Sequence, residues 1–300
     1  MAIGKPLPTR ERLFLRLDGD PLCAPETTVP ASTMRAFAVP AALRDLVAHV
    51  TAYEEHFADG HETVERVLPD GASRLIVALN GDNAEVQVAG ASASPVVLSM
   101  RGHMHGISLT LRPGASLALF GVPASELANN SVPWDALARG TPQQLPGTLV
   151  DAGSDTRRVE QLFVALGAMR RPTDLRMQRA IGSVAHTTAV GASSLSTRNL
   201  AAELGLSARR VQQLFASHLG LTPGVWRRLQ RMHGVLRRLR ANESPRHTPK
   251  WTQLALDAGY YDQAHLVNEF RELAGLTPGE LLRSVSHSSN TPAGGRDSLR

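Results

Sequence analysis

The sequence predicts an α+β protein: a β-rich N-terminal domain followed by an all-α domain in which a connector helix joins two helix-turn-helix units. Three observations carry this. Short β-branched and aliphatic runs separated by turn residues fill much of residues 26–145. Gly220-Leu221-Thr222-Pro223-Gly224 recurs as Gly275-Leu276-Thr277-Pro278-Gly279. The positive charge collects in the last third of the chain. The expected boundaries are a flexible tail over 1–25, a β-rich domain over 26–150, a helical linker over 151–190, the double helix-turn-helix over 191–285 and a flexible tail over 286–300.

In the first domain, strands are expected at Leu75–Leu79, Glu85–Val88, Val96–Met100 and Ile107–Leu111. Gly81-Asp82-Asn83, Gly90 and Pro95 separate them. Val86 and Val88 alternate with Glu85 and Gln87, as in a half-buried strand. Helices are expected over Ala41–Tyr53, near Ala115–Leu119 and near Ala124–Leu127. Ser154 or Asp155 can cap a further helix bearing Val159, Leu162, Phe163 and Leu166 at helical spacing. That amphipathic segment suits a second subunit and the strands equally. Another helix is expected over Leu175–His186, before a Gly/Ser/Thr-rich break at 187–197.

The repeat is the most informative feature. Phe215 and Phe270, like Val211 and Leu266, lie 55 residues apart, whereas Leu200 and Leu254, Ala201 and Ala255, Gly205 and Gly259 lie 54 apart. The copies therefore differ by one residue between the glycine and the helix after it, where a turn absorbs an insertion that a helix cannot. In each copy a helix ends at a glycine suited to left-handed geometry. Ser207 or Asp262 then caps a second helix whose buried face carries Val211, Leu214 and Phe215, or Leu266 and Phe270. Thr222-Pro223 starts a connector from about 223 to 240, with Val225, Leu229, Met232, Leu236 and Leu239 at spacings of three or four.

Residues 190–285 carry 13 basic against 7 acidic side chains, while 1–189 carry 17 against 19, so a polyanion would meet the C-terminal segment. Thirty of the 32 basic residues are arginine, which suits phosphate and guanine and also follows from a GC-rich genome. A lone cysteine, Cys23, excludes an internal disulfide and a multi-cysteine zinc site. It also argues against a suicidal repair methyltransferase, which needs a reactive cysteine in a defined site. No apolar run is long enough to span a membrane, and Arg10, Glu11, Arg12 and Arg16 do not suit a signal peptide, so a cytoplasmic protein is expected.

Residues 196–283 resemble the C-terminal domain of AraC/XylS-type transcription regulators. The carrying residues are Leu200-Ala201, Gly205, Ser207, Leu214-Phe215 and Gly220-Leu221-Thr222-Pro223. In the second half they are Leu254-Ala255, Ala258-Gly259-Tyr260, Ala264-His265-Leu266, Phe270-Arg271 and Gly275-Leu276-Thr277-Pro278. Tyr260 stands where the family often has Phe, Trp226 where it often has Tyr, and Asn268 where it often has Arg. More weakly, Leu68-Pro69-Asp70-Gly71, Leu111-Arg112-Pro113-Gly114 and Gly121-Val122-Pro123 resemble the cupin-like regulatory domain of one branch of these regulators.

The resemblance implies a sequence-specific DNA-binding regulator, with double-stranded DNA and RNA polymerase as partners. A small-molecule effector and a homodimer are further partners to test. Arg209, Gln212, Gln213, Gln263 and Asn268 are the candidates for base edges, Arg210 and His265 lie exposed beside them, and Ser207, Thr222, Arg227 and Arg271 are positioning or phosphate contacts. The first copy, with Arg209 and Arg210, is expected to dominate affinity.

The alternative is a metal-binding cupin-type enzyme or sensor tethered to DNA. His103 and His105 would share one strand face, with His56 and His61 near in sequence. A metal-binding cupin usually supplies a Glu soon after such a pair, and residues 106–116 contain no acid, so neither metal nor cofactor is expected. His103 and His105 remain candidates to line an effector pocket. Glu54-Glu55-His56 reads as an exposed helix end. With no nucleophile motif, phosphate loop or paired carboxylates, no catalytic residue is assigned and the chain is not expected to be an enzyme.

Overall fold

The structure is a computed structural model that describes residues 11–16, 25–27, 33–138, 144–172, 197–241 and 250–281. The N-terminal half is built on two sheets. One has the order β10-β7-β6-β9-β4-β3 and is antiparallel throughout. Its strands are β3 (Met34–Phe37), β4 (Val47–His56), β6 (Ser73–Asn80), β7 (Asn83–Ala89), β9 (His103–Leu111) and β10 (Ser131–Pro133). The other has the order β2-β1-β5-β8, from β1 (Glu11–Arg16), β2 (Pro25–Thr27), β5 (Thr63–Val67) and β8 (Val96–Met100). Here β1 runs parallel to β5.

The alternation read in β7 follows from its pairing with β6 about a two-residue turn. Asn80 faces Asn83, and Gly81 takes the positive φ, 57°, that the first turn position needs. One face of the larger sheet carries Val50, Leu75, Val77, Ile107 and Leu109. It forms a core with α1 (Ala115–Phe120), α4 (Leu145–Asp151) and α5 (Asp155–Met169). Short helices α2 (Ala124–Leu127) and α3 (Trp134–Leu137) close the edge. α5 starts where Ser154 Oγ accepts from the Arg157 amide at 3.4 Å. It buries Val159, Leu162, Ala165 and Leu166 against the strands and leaves Val164 exposed.

Two expectations are corrected. Ala41–Tyr53 is not a helix: after a 3-10 turn at Ala41–Leu43, the chain enters β4. The misleading signal was Leu43, Leu46 or Val47, and Val50 at spacings of three or four. A bulge between Val47 and His49 slips the register, so Val47 opposes Leu111 while Val50 opposes Leu109. Both therefore reach one core from positions three apart, which in sequence reads as helical. The second correction concerns residues 1–25, expected as a tail, within which Glu11–Arg16 form β1 between β2 and β5. The stretch Arg12-Leu13-Phe14-Leu15-Arg16 is rich in strand-forming residues and lies among Pro and Gly that hid it. The helix expected over Leu175–His186 and the 286–300 tail lie outside the described residues, as does the break expected at 187–197 except for Thr197, which begins a helix.

The C-terminal half is helical: α6 (Thr197–Glu203), α7 (Ala208–Leu219), the connector α8 (Pro223–Ala241), α9 (Trp251–Asp257) and α10 (Gln263–Ala274). One apolar core runs through it, from Val211, Leu214 and Phe215 past Trp226, Leu229 and Met232 to Leu266 and Phe270. Leu68 and Ala91 of the N-terminal half belong to the same core.

Candidate nucleic-acid interface

Each repeat folds as helix, glycine turn, helix. In the first unit Gly205, at φ 63°, ends α6, and the Leu206 amide donates back to Ala201 O at 2.8 Å. Ser207 Oγ accepts from the Arg210 amide at 3.2 Å and starts α7. In the second unit Gly259, at φ 81°, plays the same part, and Asp262 Oδ1 accepts from the His265 amide at 2.7 Å. α7 and α10 end alike, at Gly220 and Gly275 in left-handed geometry. α8, at 1.5 Å rise per residue, spans roughly 28 Å between them.

α7 buries Val211, Leu214, Phe215 and Leu219, so Arg209, Arg210, Gln212 and Gln213 are left exposed together. On α10, Gln263, His265, Asn268 and Arg271 are exposed. Several of these side chains already have local roles. Gln263 Oε1 accepts from Thr252 Oγ1 at 3.4 Å. His265 Nδ1 accepts from the Tyr261 amide at 3.3 Å, and its ring sits edge-on to Tyr260 at 5.2 Å. Thr222 is exposed, with Oγ1 accepting from the Val225 amide at 3.2 Å, and Arg227 is half-buried.

Three features of this region were missed in the sequence. The first is Glu269, buried on α10. Its carboxylate accepts from Arg228 Nε at 3.0 Å and from Arg231 Nη2 at 2.6 Å, tying the connector to the second unit. Arg228 also pairs with Glu272. Burial works to lower the Arg228 pKa, but the hydrogen bonds and charges of Glu269 and Glu272 outweigh it, and the net shift is upward. Burial and then the Glu269 charge push the Tyr260 hydroxyl well above its ordinary range. Helical spacing within the connector does not reveal a buried acid on another helix.

The second is Tyr261. Leu206 and Tyr260 both follow the turn glycine and pack inward, so the extra residue of the second copy is Tyr261. It is 86% exposed, immediately before the cap of α10. The unequal offset, 54 then 55, was the signal that could have found it.

The third is how the N-terminal half seats the first unit. The turn Leu68-Pro69-Asp70-Gly71 presses on the connector. Leu68 enters the helical core, Pro69 O accepts from His233 Nε2 at 2.8 Å, and Gly71, at φ 75°, lies where a Cβ would come 2.7 Å from the Trp226 ring. Only a residue without a side chain fits there. The Gly114 amide donates to His218 O at 2.8 Å, and at Gly220 a Cβ would stand 2.8 Å from Ala124 O. Arg66 Nη1 donates to Ala274 O at 3.2 Å, reaching the second unit.

His103 and His105 lie on the helix-covered face of the larger sheet. His105 Nε2 meets Asp155 Oδ1 of α5 at 2.9 Å, and His103 Nε2 meets Glu54 Oε1 at 3.1 Å. Glu54-Glu55-His56, expected at a helix end, ends β4 instead. The opposite face of that sheet carries a polar row. His49, Thr110 and Arg74 stand side by side across three strands, with Thr51 and Tyr53 further along β4. Burial first, then Arg74, lowers the His49 pKa; burial first, then Glu65 of the second sheet, raises that of Tyr53.

Residues 200–284 match a family model described as a helix-turn-helix domain, and residues 35–133 one described as a domain of unknown function. No protein of curated function matches the chain. Among solved structures, ToxT from Vibrio cholerae is 10% identical, with a TM-score of 0.42 over 78% of this chain and 97% of that one. A structure of ToxT from Vibrio cholerae O395 is 10% identical, with a TM-score of 0.41 over 85% and 99%.

Proposed function

We infer that this chain, whose residues 200–284 match a helix-turn-helix domain, is a sequence-specific DNA-binding transcription regulator of the AraC type. One observation supports the reading above others: two capped helices of the same build, each with an exposed polar face, sit at the ends of one rigid connector. The connector's length is of the order of one duplex turn, about 34 Å, so α7 and α10 suit successive major-groove segments on one side of DNA.

In this reading Arg209 takes guanine O6/N7, while Gln212, Gln213, Gln263 and Asn268 take adenine or other base edges. Arg210, Arg227 and Arg271 neutralise phosphates. Ser207, Thr222 and His265 hold helix starts and position the backbone. Tyr261 adds a phenol beside the start of α10, placed for a phosphate or sugar. The N-terminal half senses a small molecule or a partner. The candidate effector contacts are His103 and His105 on one face of the larger sheet and the polar row at His49, Thr51, Tyr53 and Arg74 on the other. RNA polymerase and a second copy of the chain complete the set of partners. The AraC-type regulators are not enzymes, and no catalytic role is assigned.

Selection of bound duplexes from a random pool by the full-length protein tests this. The expected outcome is an enriched site with two half-sites about 10 base pairs apart. Binding with no sequence enriched would overturn it.

A further inference from the structure

Across β4 and β9, His56 directly opposes His103 and Glu54 directly opposes His105. Directly opposed residues of an antiparallel pair have Cβ atoms about 5 Å apart and share a face. Four side chains with metal-binding atoms thus form a square at one end of the sheet. One ligating atom each from Glu54, His56 and His103 lies within 4.8 Å of the others. His103 Nε2 is 3.1 Å from Glu54 Oε1, and the His56 and His103 rings lie 4.0 Å apart. Two tetrahedral ligands of one zinc-sized ion, each about 2.1 Å from it, sit roughly 3.4 Å from one another. The spacing suits one shared ion after small side-chain rotations, and all three residues are exposed and can make them.

We propose that Glu54, His56 and His103 bind one divalent first-row transition-metal ion of the zinc or nickel class, with His105 held beside the site by Asp155. Imidazoles with a single carboxylate select this class over magnesium or calcium, which want oxygen ligands. The exposure of the ligands leaves room for water on the ion, as in an exchangeable site rather than a closed structural one. His105 links the site inward, because Asp155 lies in the first turn of α5 and also pairs with Arg158 at 3.0 Å. The site lies in the N-terminal half, away from α7 and α10, and does not depend on the DNA-binding role.

Calorimetric titration of the full-length, untagged, chelator-treated protein with zinc chloride, and separately with nickel chloride, tests it. One equivalent is expected to bind for at least one of the two ions, and magnesium chloride should give no saturable heat. Glu54→Gln and His103→Ala should each weaken binding by at least about tenfold. His61→Ala, on the following loop, should leave it unchanged. Circular dichroism and metal-free melting temperatures matching the parent establish that the variants are folded. Absence of stoichiometric binding by both ions, or undiminished affinity in a Glu54→Gln/His103→Ala double variant, overturns the proposal.

Discussion

At the scale of single residues, the proposed DNA-reading face and the polar row on the larger sheet make opposite demands on their side chains. Arg209 is exposed, so its replacement leaves the fold alone and tests recognition directly. Arg209→Ala is expected to cost about 1–3 kcal/mol on the selected site and to relax one base position. Competition binding at fixed salt checks this; equal loss on random DNA would reassign Arg209 to phosphate. His49 is constrained instead by its surroundings. Burial and Arg74 hold its folded pKa below the ordinary 6.5. Between those two values the unfolded chain binds a proton that the native chain refuses, so stability falls as pH drops below about 6.5. His49→Gln should therefore shrink the melting-temperature difference between about pH 7.5 and pH 5.5. A difference as large as the parent's would show that other groups set the acid sensitivity.

At the scale of elements, local rules hold wherever a segment makes its own stop and start. The capped α5, α7 and α10, the connector and the β6–β7 hairpin were all legible because cap, glycine and apolar spacing lie within a few residues of one another. β4 was not, since its bulge makes a strand imitate helical spacing. β1 and β5 are short, and their pairing is fixed by partners distant in sequence. α7 and α10 were legible as helices with exposed polar faces, but the partners of Arg228 and Arg231 were not, since Glu269 lies about forty residues downstream on another element. That carboxylate is the joint between connector and second unit. Glu269→Gln leaves two guanidinium groups facing a neutral amide. The expected loss is about 3 kcal/mol, toward the low end for a broken buried pair because both arginines keep solvent contact. Urea unfolding checks this, and a loss below about 1 kcal/mol would mark the pairs as solvated and dispensable.

At the scale of the whole molecule, contacts on several elements join the two halves among the described residues. They include the Leu68–Gly71 turn on α8, Gly114 and Ala124 at α7, and Arg66 on α10. The turn motifs that carried the weaker resemblance thus lie where the halves meet. Under the proposed function, an effector acting on the strands would reach α7 and α10 through these contacts. Leu68→Asp puts a charge into the shared core and should release the turn from Trp226. Hydrogen–deuterium exchange should then rise across residues 226–236 and stay unchanged in β6. An unchanged pattern would mean the contact carries little of the coupling.

The buried position of Leu68 bears on how such proteins can be recombined. A helical segment excised at residue 191 would leave Leu221 and Trp226 without the turn that covers them. Grafted onto a foreign sensor, it would arrive with an unfinished core and an apolar scar prone to self-association. A chimera that keeps this reading head therefore needs to import the Leu68–Gly71 turn along with it.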